Sequence, residues 1–81
     1  MPTDAPASSS DAWLAAYAAL LGVAPPDTTT VEQLLEVAGI AAHASERIAA
    51  PITCWLAGRA GISPAEALEL ARQLAGPADS A

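Results

Sequence analysis

Three clusters of helix-breaking residues set the limits on this chain: Gly22 with Pro25 and Pro26, Gly61 with Ser63 and Pro64, and Gly76 with Pro77. Glycine supplies left-handed helix ends and proline cannot continue a helix, so each cluster marks a boundary. Between them the apolar residues recur at intervals of three and four, and no run alternates as a strand does. The pattern predicts an all-α chain, a small antiparallel bundle of three to four helices.

The first helix opens on Ser9 or Ser10 as cap, with Asp11 in the first turn, and Trp13, Tyr17, Leu20 and Leu21 share a face that Gly22 closes. Residues 23–29 form an extended turn around Pro25, Pro26 and Asp27. Thr30 with Gln33 is a capping box for the second helix, and Thr29 with Glu32 offers the same box one register earlier. Leu34, Leu35, Ala38, Ala41, Ala42, Ile48, Ala49 and Ile52 then trace one apolar face, interrupted by Ser45.

Pro51 must bend or end this helix. The residues just before it, Ile48, Ala49 and Ala50, hold no turn former, so the spacing predicts one long second helix kinked at Pro51 and running on through Ile52, Trp55, Leu56 and Arg59 to Gly61. The last helix has the clearest start: Ser63 as cap, Pro64 at the first position and Glu66 at the third. Leu68, Ala71, Leu74 and Ala75 are expected to face inward, and Glu69 to pair with Arg72 outside. Residues 1–9 read as a disordered leader, 10–76 as a single helical domain and 77–81 as a disordered tail.

Composition removes several classes of function. Nine Asp and Glu stand against three Arg and no Lys, a net charge of -6. Nucleic-acid and membrane-surface binding both draw on cationic side chains, so neither is expected. The opening has no basic residue and no apolar core of a signal peptide, and no apolar run approaches a membrane span, which leaves a cytoplasmic location as the expectation. The lone Cys54 has no internal disulfide partner, and zinc-ligand spacings are missing, so no metal or cofactor is expected.

The polar candidates are few. His43 and Arg47 are four apart, which on one helix places them about 6 Å from each other on the same side. A solvated face with weak ion pairs to Glu36 and Glu46 is the plain account of this pair. The functional account is an anion site made by His43, Arg47 and Thr53 beside the bend. A Cys54–His43 nucleophile fails on distance, since eleven residues of helix separate the two by about 16 Å. Trp13 and Trp55 fall on inner faces and are expected in the core, although Trp55, just past the bend, stays with Thr53 among the candidates for contact with a ligand or partner.

Two look-alikes fail on single features. Residues 55–74 have the shape of a helix-turn-helix, but Glu66 and Glu69 stand where phosphates would repel them. An acyl carrier protein needs a serine at the start of its second helix, where this chain has Thr28, Thr29 and Thr30.

From Asp11 onward the chain resembles a small bacterial domain family of unknown function, found alone or fused to molybdenum-cofactor guanylyltransferases. The resemblance rests on Trp13-Leu14, Leu21-Gly22, Ala42-His43, Arg47, Ala50-Pro51, Thr53, Leu56 and Gly58. It implies an accessory or docking role in molybdopterin-guanine dinucleotide biosynthesis. The chain has no glycine-rich phosphate loop or βαβ pattern to carry nucleotidyl transfer. The expected function is therefore a non-catalytic accessory domain that binds a protein partner, a guanylyltransferase of that kind or a second copy in a homo-dimer. The alternative is a binder of an anionic small molecule, a pterin or nucleotide phosphate, held by His43 and Arg47.

Overall fold

A computed structural model describes residues 9–76. The expected leader, apart from Ser9, and the expected tail lie outside the described residues. Four helices follow one another: α1 (Ser10–Leu21), α2 (Thr28–Ala44), α3 (Ala49–Ala60) and α4 (Pro64–Ala75). The all-α class is as expected, and no strand occurs among the described residues.

The helix ends show why these segments form. The Ser9 hydroxyl accepts from the Ala12 N–H at 3.0 Å and starts α1. At its far end Gly22, at φ 76°, donates to Ala19 while Val23 donates to Ala18, so two terminal carbonyls are satisfied at once. Ser63 caps α4 by accepting from the Glu66 N–H at 3.1 Å, with Pro64 in the first turn. The cap of α2 differs from the threonine box. Asp27 accepts from the Thr30 N–H at 2.8 Å, and the helix begins at Thr28. A carboxylate is a stronger acceptor than a threonine hydroxyl and carries the charge that the positive helix end favours. Its pKa is held below the ordinary aspartate range by these bonds to Thr30, the backbone bond first.

The long kinked helix is not found. α2 stops at Ala44, and α3 starts at Ala49 after a turn in which Ala49 donates to Glu46 and Ala50 to Arg47. Pro51 falls in the first turn of α3, where its missing N–H has no helical partner to lose and its ring meets no helical carbonyl. Proline thus pushes the break upstream of itself. The chain then doubles back: the Cys54 thiol donates to the Leu34 carbonyl at 3.8 Å, whereas twenty residues of unbroken helix would separate them by about 30 Å. α3 and α4 both pack against α2, while α1 has no packing partner of similar extent.

The core is small. Val37, Ala67 and Leu68 are buried, with Ile40, Cys54, Ala57, Ile62 and Ala71 packed around them. Val37, wholly buried, lies outside the apolar face read from spacing, and Leu35, placed on that face, is exposed. The reason is the corner: α2 has neighbours on two sides, and the arc they cover centres on Val37 instead of on a single continuous stripe. Trp13, Tyr17, Leu20, Leu21, Trp55 and Leu56, all expected inside, are at least half exposed. Leu74, expected to face inward, is 91% exposed. Arg72 reaches across to Glu36 of α2 instead of pairing with Glu69. The bond between helices ties α4 to α2, and its exposed position limits its worth to about 1 kcal/mol or less.

Candidate functional site

The corner between α2 and α3 gathers three of the four candidates, but not as one cluster. His43 occupies the exposed last turn of α2, at the carbonyl end of the helix. Arg47 lies in the turn after it, also exposed. Because α2 ends at Ala44, the one-turn spacing that put His43 and Arg47 on the same side no longer applies. Thr53 stands in the second turn of α3 and is half-buried. Trp55, two residues on, takes another face of α3, where the Arg59 guanidinium sits 5.5 Å from the ring centre. This exposed cation–π contact, worth about 0.5–1 kcal/mol, follows from the i,i+4 spacing of Trp55 and Arg59.

Thr53 is the candidate that the fold places in a recess. A cleft of about 350 Å³ opens where the end of α2, the start of α3 and the end of α4 meet, lined by Ile40, Ala41, Ala44, Ser45, Ala49, Thr53, Ala71, Leu74 and Ala75. A shallower groove of about 190 Å³ shares Thr53, Ala71 and Leu74 and runs on past Val37, Ala57, Ile62 and Leu70. Thr53 and Ser45 are the only polar side chains that line them. His43 and Arg47 line neither of them. The cleft was hidden from sequence because it exists only where the chain reverses between α2 and α3.

The start of α3 offers little to an anion. Its cap residue, Ile48, makes no side-chain bond; the Ala49 and Ala50 N–H groups are taken up by the turn, and Pro51 has none. A helix N-terminus binds anions through free N–H donors, and those of this first turn are already used or absent.

Cys54 packs against the core beneath this region. Burial raises its pKa above the ordinary thiol range, so the less reactive protonated form is favoured. Its contact with Leu34 places it nine residues of α2 from His43, about 14 Å along the axis, so the two do not form a nucleophile and base.

A wider notch of about 460 Å³ separates α1 from the start of α2, lined by Leu14, Ala15, Pro25, Pro26 and Val31 with the carboxylates of Asp11, Asp27 and Glu32 at its edges. No group of three or more His, Cys, Asp or Glu positioned to hold a metal ion occurs among the described residues. Nor is any described helix long and apolar enough to cross a membrane.

No curated protein and no solved structure matches the chain. A family match does span nearly all of it, residues 5–80, which include every helix and the whole corner with its cleft. The chain belongs to the family described as Domain of unknown function (DUF6457).

Proposed function

We propose that the chain is a non-catalytic accessory domain that binds a protein partner through the α2–α3 corner. The observation that carries this reading is the apolar cleft at the corner, with Leu74 standing 91% exposed at its edge and Thr53 as its polar mark. Soluble domains rarely leave large apolar side chains beside an apolar recess without a use for them, and an inserted helix or loop from a partner is the occupant such a recess fits. Arg47 and His43, on the exposed ground next to the cleft, would supply the polar rim that fixes orientation. The resemblance carried by His43, Arg47, Pro51 and Thr53 points to a partner in molybdenum-cofactor biosynthesis, a guanylyltransferase that makes molybdopterin-guanine dinucleotide.

The test is titration of the purified full chain with such a guanylyltransferase, followed by calorimetry. Saturable binding is expected, abolished by Leu74→Asp and weakened about tenfold by Arg47→Glu. No heat at any ratio would remove the molybdenum-cofactor assignment. Co-purification from the native host then tests the wider claim, which fails if the chain is recovered without a stoichiometric partner. Binding of a pterin or nucleotide phosphate is less well supported, because Arg47 does not line the cleft and the first turn of α3 has no free donors.

A further inference from the structure

We infer that a second copy of this chain covers the exposed aromatic stripes of α1 and α3, making a symmetric dimer. Each of these helices has twelve residues, and each presents large apolar side chains along one face. On α1, Trp13, Tyr17 and Leu20 fall at i, i+4 and i+7; on α3, Ile52, Trp55 and Leu56 fall at i, i+3 and i+4. All six are at least half exposed, Leu20 reaching 83%. They include every aromatic residue of the chain. Aromatic side chains concentrated on a surface whose one cation, Arg59, is stacked on Trp55 have the composition of an interface centre, not of a solvated face.

Charge is distributed in the opposite sense. From Ala12 to Val23 no residue is charged, and Arg59 is the only charged residue of α3. Most helical acids stand on α2 and α4, at Glu32, Glu36, Glu66 and Glu69; Asp11 opens α1 on the side away from Trp13 and Leu20, where it lines the notch facing α2. A basic partner would be drawn to those faces. The stripes suit a surface like themselves, and a second copy can meet them without burying a carboxylate even though each chain carries -6.

The area is sufficient. With the apolar residues that flank them, the two stripes expose roughly 900 Å² per copy at about 150 Å² for a whole large side chain, and a stable complex needs about 800 Å² from each partner. A two-fold arrangement uses the same patch twice, so one copy supplies the whole of what the other needs. α1, with no extensive packing against the other described helices, would gain most.

The inference rests on reading the domain as an interaction module, but it concerns a different surface from the α2–α3 corner, so either can fail alone. Sedimentation equilibrium of the full chain from about 1 µM to about 1 mM tests it, with tryptophan emission followed over the same range. The expected result is a mass rising to twice 8.1 kDa, with emission moving to shorter wavelength in step because both tryptophans lie in the stripes. Trp13→Glu and Leu20→Glu should each weaken the dimer about 30-fold or more while leaving the helical circular dichroism unchanged. A chain that stays at the monomer mass overturns the inference. So does a mass beyond the dimer, an emission maximum independent of concentration, or a dimer that both variants leave intact. A monomer that still binds its partner at the corner would overturn the dimer alone.

Discussion

Asp27 does the work that the sequence invites one to assign to threonine. Its carboxylate accepts from the Thr30 N–H and holds the first turn of α2, and those bonds keep its pKa below the usual aspartate range. A group whose folded pKa is depressed stabilises the fold fully above its unfolded value and loses that contribution as pH falls through the folded value. The Tm difference between the wild type and Asp27→Ala should therefore be largest at neutral pH and close as pH falls below about 4. Asp27→Asn caps without a titrating proton, so it should keep most of the stability and lose the pH dependence. A difference between wild type and Asp27→Ala that persists unchanged to about pH 2 would show that the charged cap is not its source.

At the scale of elements, the decisive event is the reversal between α2 and α3. Pro51 was legible as a disturbance, but which side of it the helix would break was not. Local turn chemistry near Ile48, Ala49 and Ala50 points to continuation, while the Cys54–Leu34 contact requires reversal. Tertiary packing decides, because the core around Val37 closes only when α3 returns along α2. Pro51 then sits where it costs nothing. Pro51→Ala should accordingly change stability by less than about 1 kcal/mol, with unchanged helix content, since only the restriction on the unfolded chain is altered. Were Pro51 inside a kinked helix, the same change would stabilise by about 3 kcal/mol, the cost of an interior proline. Chemical denaturation of the two proteins separates these outcomes. The starts and stops that depend on neighbouring residues alone, Ser9, Gly22, Ser63 with Pro64, and Gly61, were readable from the chain. The corner, and so the cleft with Thr53, was not, because it depends on residues twenty apart.

For the whole molecule, the same reasoning explains why helical periodicity misplaced the core. Periodicity identifies an apolar face but not what covers it. The stripe of Trp13, Tyr17 and Leu20 is real as a pattern, yet no described helix of the same copy buries it, and a chain of this size has little core with which to do so. Two kinds of contact then follow, with opposite responses to salt. Two copies meeting through apolar stripes bring together two bodies of charge -6, and screening relieves that repulsion. Raising ionic strength from about 0.05 M to about 0.5 M should leave dimerisation unchanged or strengthen it, because apolar burial does not depend on screened charge. A partner oriented at the corner by Arg47 should bind more weakly over the same range, since an exposed charge pair is what salt screens first. Sedimentation and calorimetry on the same preparations measure both. A dimer that dissociates as salt rises would mean that charged groups, and not the aromatic stripes of α1 and α3, hold the two copies together.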